Sequence, residues 1–192
     1  GYFKTNIRIL EIDDEQHIAD YEIDNNISYS FLQDSEDIFK RKHFEHKMIL
    51  EAETPYVAVF DTDAIASPGQ ILDAVNSLHS EDAAMSFPYD RRYYSCDAVL
   101  SKIFKKTHDI KIFEDYLTNL HLKSGHSHSG GAYIINKVKY LEVYNKKESV
   151  IDNAYDCFTL VKRMEVLNMK IYYSTGPLFH LWHPKSKNSS FP

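Results

Sequence analysis

Two carboxylates flanking one residue, Asp61-Thr62-Asp63, follow directly on the apolar run Tyr56-Val57-Ala58-Val59-Phe60. Ligands of open α/β sheets bind beyond the carboxyl ends of the strands, which is where these side chains would lie. A carboxylate pair of this kind can share a hard cation. Mg²⁺ and Mn²⁺ prefer oxygen ligands and keep positions open for phosphate. A cation held there would neutralise a diphosphate leaving group as negative charge builds on it. The pair reads equally as a solvated turn or as the cap of a following helix. Near the other end of the chain, Gly176-Pro177-Leu178-Phe179-His180-Leu181-Trp182-His183-Pro184 presents two histidines beside an aromatic residue. An imidazole from His180 or His183 can complete a metal site begun by carboxylates, although a lone histidine is more often structural. Three further histidines, His121, His126 and His128, lie around Gly125. They suit zinc or a phosphoryl group, or simply an exposed polar loop.

The elements that must position these groups are written in the apolar spacing. Ile7, Ile9 and Ile12 mark a buried strand that opens into Asp13-Asp14, and Ile27, Tyr29 and Phe31 alternate as a second strand. Residues 38–53 have helical spacing, with Phe39, Phe44, Met48, Ile49 and Ala52 on the inner side. The run at 56–60 is short and apolar throughout, the pattern of a central strand buried on both faces. Ser67, Pro68 and Gln70 announce the next helix with a capping box and a proline in its first turn. Further strands are expected at 83–87, 132–135 and 170–174, and helices at 96–106, 110–121 and 155–167, with a polar loop over 121–131. Strands alternate with helices, which predicts an α/β fold with a mixed, mostly parallel sheet flanked by helices.

Composition sets the outer limits. The chain has 192 residues, 43% hydrophobic and 14% aromatic, enough for one sizeable core and one domain over residues 1–184, followed by a flexible Lys- and Ser-rich tail at 185–192. A formal net charge of −6 argues against sequence-independent nucleic-acid binding, which needs a basic face. The local basic stretch Phe39-Lys40-Arg41-Lys42-His43 still suits the phosphates of a small ligand. Only Cys96 and Cys157 occur, without metal-finger spacing, so a reducing cytoplasm is the expected compartment. No apolar run is long enough to span a bilayer, leaving a protein free in the cytoplasm or peripheral to the inner face of the membrane.

The run Thr54-Pro55-Tyr56-Val57-Ala58-Val59-Phe60-Asp61-Thr62-Asp63-Ala64-Ile65 resembles the metal-binding segment of GT-A-fold glycosyltransferases. Gly130-Gly131-Ala132-Tyr133-Ile134-Ile135-Asn136 resembles their donor and acceptor loop. The stretch from Val161-Lys162-Arg163 to His183-Pro184 is similar to the C-terminal part of the galactosyltransferase-type, chondroitin-polymerase-like subgroup, as are Pro88-Tyr89-Asp90 and Arg92. These segments occur in the family's order over nearly the whole chain, starting at what would be the family's second strand. The resemblance implies that Asp61 and Asp63 approach Mn²⁺ or Mg²⁺ and the donor diphosphate, with His180, or else His183, as a further ligand. Arg41 and Arg92 would contact the nucleotide sugar, and Asp13 the uridine. Gly130 and Gly131 would let backbone approach the sugar. Arg41 reads equally as a solvated helix charge, Asp13 as a loop carboxylate and the glycines as turn residues.

Two further departures from the subgroup bear on activity. Active relatives carry Trp-Gly-x-Glu-Asp before the last long helix, with an acidic residue as the general base. Here the stretch is Asp152-Asn153-Ala154-Tyr155-Asp156-Cys157, leaving Asp156, or less readily Asp152, for that role. His46 stands where the family has an Asn near the donor. The resemblance implies an inverting, metal-dependent transfer of a hexose or N-acetylhexosamine from a UDP-sugar to a glycan acceptor, as in polysaccharide biosynthesis. A degenerate domain that binds a nucleotide sugar or glycan without turnover is the second reading. A metal phosphoesterase using Asp61, Asp63 and His126 or His128 is the third.

Overall fold

The computed structural model describes residues 5–18, 26–34, 41–124, 130–145 and 157–184. The expectations placed on the tail at 185–192, on Asp152 and Asp156, and on His126 and His128 lie outside those residues. Contacts divide the chain into two compact units. The first carries β1 (Ile7–Asp13) and β2 (Ile27–Gln33), paired in parallel with Ile7 opposite Ile27 and Asp13 opposite Gln33. Both strands fall where the sequence places them, but neither has a buried residue, so β1 is not the buried strand expected.

The second unit begins at Arg41 with α1 (Arg41–Glu51) and continues through β3 (Tyr56–Phe60), β4 (Ala64–Ile65) and α2 (Pro68–Ser80). It then runs through β5 (Met85–Phe87), β6 (Tyr93–Ser95), α3 (Ala98–Thr107) and the short α4 (Lys111–Asp115). After β7 (His121–Ser124) come β8 (Ala132–Asn136), α5 (Lys137–Asn145), α6 (Cys157–Val166), β9 (Ile171–Tyr173) and β10 (Leu178–His180). The strands form two four-stranded sheets, ordered β3-β8-β5-β9 and β4-β10-β6-β7.

The fold is mixed α/β, as the alternation predicts, but the sheets are less parallel than expected. Among the described residues, four strand pairings are antiparallel and three parallel. Strand β8 makes two of the antiparallel pairings, with β3 and β5, and β4 with β10 and β6 with β7 make the others. Strand β8 is also buried on both faces. Ile134 packs against Ala74 and Leu78 of α2, while Tyr133 and Ile135 join Leu160 and Met164 of α6 on the other side. The run at 56–60, expected in that central place, instead pairs only with β8 among the described residues and leaves Ala58 exposed. A short apolar run has no periodicity with which to tell a sheet centre from an edge.

The second sheet is covered by α3 and α4, whose Leu100 and Phe113 pack with Cys96, Phe179 and Leu181. Strand β10 links the two cores. Leu178 lies in the core beneath the first sheet and Phe179 in the core beneath the second, because successive side chains leave opposite faces of a strand. The helix expected at 110–121 breaks after Asp115 into a 3-10 turn, Leu117–Asn119. The first part of the expected 121–131 loop is strand β7.

The capping box at α2 is present in full. Ser67 Oγ accepts from Gln70 N at 3.3 Å, and Ser67 N donates to Gln70 Oε1 at 3.1 Å. The Gln70 amide then reaches outward, donating to the carbonyls of Pro88 at 2.8 Å and Pro177 at 3.0 Å. One side chain thereby fixes both the start of α2 and the turn that feeds β10. Gly176 within that turn has φ +120°, and a Cβ on it would sit 2.9 Å from the Gln70 amide carbon.

Candidate metal centre and adjoining cavity

The pairing of β4 with β10 builds the centre. His180 is registered opposite Ala64 in an antiparallel ladder, which sets Asp63 beside Leu181, and Leu181 N donates to the Asp63 carbonyl at 2.8 Å. On its other edge β10 runs parallel to β6, with Cys96 N donating to the His180 carbonyl at 2.8 Å. Asp63 is thus held on backbone bonds within reach of both C-terminal imidazoles. Its Oδ2 lies 3.3 Å from His180 Nε2 and 3.1 Å from His183 Nε2. One donor atom from each of the three residues falls within 4.8 Å of the others.

The protonation pattern suits a cation. His183 Nδ1 lies 2.9 Å from the Pro184 carbonyl, an acceptor that calls for a proton on that nitrogen. A neutral ring then presents its Nε2 lone pair to a carboxylate oxygen. Two lone pairs 3.1 Å apart require a positive centre between them, either a proton or a metal ion. Burial pushes the His180 imidazole below its ordinary pKa, with Lys123 and His183 adding to the effect and the Asp63 carboxylate opposing it. A neutral imidazole is the ligating form. One carboxylate and two imidazoles fit Mn²⁺ or another divalent first-row ion, with open positions left for oxygen ligands.

Asp61 takes a different place. Its backbone N–H donates to the Gly131 carbonyl at 2.7 Å, and its carboxylate pairs with the Arg41 guanidinium from the first turn of α1. It lies outside the Asp63–His180–His183 group and lines a cavity of about 250 Å³ together with Arg41, Lys42, Lys123, Tyr93 and Tyr133. The two features adjoin. The Tyr93 ring lines the cavity and meets the His180 ring at a centroid distance of 5.6 Å. Burial raises the Tyr93 phenol far above its usual value, and the negative charges of Asp61 and Asp63 raise it further.

Glu45, one turn into α1, organises the basic side of the cavity. Its carboxylate takes both a bond from Lys42 Nζ, at 2.8 Å, and one from the Tyr133 hydroxyl, and lies 3.8 Å from Arg41 Nε. Gly130 and Gly131 also border the cavity. Gly131 has φ +82°, and a Cβ on it would fall 2.8 Å from Leu178 Cδ2 and 3.3 Å from the Tyr93 ring. The Gly130 carbonyl accepts from the Tyr89 hydroxyl at 2.6 Å.

Arg92 and His46 make contacts outside the cavity. Arg92 is forked onto Asp90, with bonds of 2.9 and 2.6 Å, and does not line the cavity. Asp90 Oδ2 also accepts from Gly176 N at 3.0 Å, so this pair braces the turn before β10. His46 stacks on Tyr144 with ring centroids 3.5 Å apart and bonds the Tyr140 hydroxyl through Nδ1 at 2.8 Å. Asp13 belongs to the first unit, where it accepts from Asp14 N at 2.8 Å and pairs with His17 at 3.6 Å. Asp13, Asp14 and His17 form a second cluster of metal-type donors, all exposed. His121 opens β7, opposite Ser95. Lys123 carries no motif of its own. Its only sequence signal is the polar–apolar–polar alternation of His121, Leu122 and Lys123. No described helix is long and apolar enough to cross a membrane. Compared with known protein families and with curated protein sequences, this chain matches none.

Proposed function

We propose that this chain is a metal-dependent glycosyltransferase domain of GT-A type, moving a hexose or N-acetylhexosamine from a UDP-sugar to a glycan acceptor. The observation that carries the reading is the convergence of Asp63, His180 and His183 beside a basic cavity. Those three residues would hold Mn²⁺ or another divalent first-row ion, which when bound supplies charge neutralisation for a departing diphosphate. Arg41 and Lys42 offer the phosphates charge-assisted hydrogen bonds from α1. Asp61 orients Arg41 by pairing with it. Tyr93 and Tyr133, both buried, border the cavity and carry Lys123 and Lys42 over their rings. The proton of the acceptor hydroxyl is assigned to Asp156, with Asp152 as the alternative base.

A second reading, a domain that binds the nucleotide sugar without turnover, draws on the pairing of Asp61 with Arg41. That pairing engages one acidic residue of the metal motif with protein rather than with a cation. The two readings separate in one assay. The protein is incubated with UDP-hexoses and UDP-N-acetylhexosamines, Mn²⁺ and glycan acceptors, and UDP release and acceptor mass are followed. An acceptor one sugar heavier establishes transfer. Mn²⁺-dependent UDP binding without any product establishes the binding domain, and absence of both refutes the assignment.

A further inference from the structure

Three cationic side chains border the cavity, and two of them are already matched. Arg41 is paired with Asp61, and Lys42 with the largely buried Glu45. Lys123 is the exception, since no carboxylate among the described residues forms an ion pair with it. Its Nζ stands 5.4 Å from the centroid of the Tyr93 ring. A ring face holds an ammonium in place without cancelling its charge.

The backbone explains why Lys123 is there. In the antiparallel pairing of β6 with β7, Tyr94 is opposite Leu122 but Tyr93 is opposite Ser124. Lys123 is the extra residue of a bulge, a device that re-aims a side chain out of the regular ladder. Tyr93, over which Lys123 lies, also lines the cavity and touches His180. Among the described residues, the one cation of the cavity without a carboxylate partner therefore stands at its junction with the metal centre.

We propose that Lys123 binds the second phosphate of a nucleoside diphosphate and so selects diphosphate over monophosphate at this site. The proposal rests on the nucleotide-sugar reading given above. A metal ion already favours two phosphates over one by chelation, so the share that Lys123 adds is the part of the preference its replacement removes. A separate, unneutralised ammonium gains most from the additional negative charge of a diphosphate, and a lysine acts there as a compact point charge.

The test is calorimetric titration of UDP and UMP, each with Mn²⁺, into wild-type protein, Lys123→Met and Lys123→Arg. Lys123 is exposed, so neither replacement disturbs a core. Lys123→Met is expected to weaken UDP about tenfold or more while UMP stays within about twofold, and Lys123→Arg to keep most of the preference for UDP. Mn²⁺ affinity without nucleotide should not weaken in either variant, since Lys123→Met only removes a positive charge that acts on His180. Unchanged UDP affinity in Lys123→Met, or equal loss of UDP and UMP, overturns the proposal and leaves the nucleotide-sugar reading standing. A parallel loss of Mn²⁺ affinity also overturns it, because Lys123 would then act through the metal centre. A wild-type protein with no Mn²⁺-dependent UDP affinity removes both.

Discussion

Asp63 is the residue on which two imidazoles converge, and removing either imidazole should be felt at the metal. His183 is the more exposed of the pair, at 47% against 18% for His180, and is fixed through its bond to the Pro184 carbonyl. His183→Ala should weaken Mn²⁺ about tenfold to a hundredfold by calorimetry, since the loss of a ligand is at least as costly as loss of its outer-shell support. An unaltered Mn²⁺ affinity would remove His183 from the site. Gly131→Ala meets two obstacles at once, a positive φ and a contact with Leu178 of 2.8 Å. It should destabilise the fold by about 1–3 kcal/mol, read from the urea midpoint. Asp90 carries a pH signature. Burial raises its carboxyl pKa, but bonds from Arg92 and from Gly176 N outweigh that and hold it below the ordinary value. A depressed folded-state pKa means that the unfolded chain takes up the proton first. The stabilisation is therefore present above the unfolded value and is lost as pH falls through the folded one. Asp90→Asn should cost about 1–3 kcal/mol at neutral pH, with the difference from wild type narrowing below about pH 4. A pH-independent difference would show that the carboxylate charge contributes nothing.

At the scale of elements, α2 shows how a local signal becomes a long-range brace. Gln70 closes the capping box and also bonds the carbonyls of Pro88 and Pro177. Gln70→Ala should cost about 2–3 kcal/mol, more than a cap alone, because two further bonds go with it. A loss of only a few tenths in thermal or chemical denaturation would mean that water replaces all of them. Helix α2 was legible in the sequence because every part of its start lies within four residues. Strands β1, β2 and β8 were legible from alternation or from continuous apolar runs. The elements that escaped are those made by distant partners. Strands β4, β6 and β10 have two or three residues each, too short for a period, and exist because β10 inserts between β4 and β6. Helix α5 has exposed Val138 and buried Tyr140 and Val143 spread among lysines, which blurs its apolar stripe. The same limits apply to the site. Asp61, Asp63, His180 and His183 were legible as residue types in a recognisable order. Their division into a metal group around Asp63 and a cavity pair of Asp61 with Arg41 depends on the β4–β10 register. Lys123 depends on a bulge, and no local residue pattern announces one.

Across the second unit, the candidate metal centre stands where two cores meet, at the strand that sends Leu178 into one and Phe179 into the other. Its donor atoms are held from opposite ends of that unit's sequence, and the centre therefore requires the unit to be folded. The core beneath the second sheet offers a reporter of that integrity. Burial, aided by the nearby Asp97 carboxylate, pushes the Cys96 thiol up to about 12. At pH 8 Cys96 should stay unlabelled by a thiol reagent until the core opens, so peptide-mapped labelling should follow the unfolding transition. Labelling of Cys96 in native protein on mixing would contradict the packing around Phe113 and Phe179. The central claim is that Asp63, His180 and His183 hold a divalent cation against a cavity built for phosphate. The most direct measurement is calorimetric titration of UDP into wild-type protein and Asp63→Ala, with Mn²⁺ and with chelator. UDP binding that requires Mn²⁺ in the wild type and is lost in Asp63→Ala is the predicted result. Equal UDP affinity under all four conditions would contradict the account.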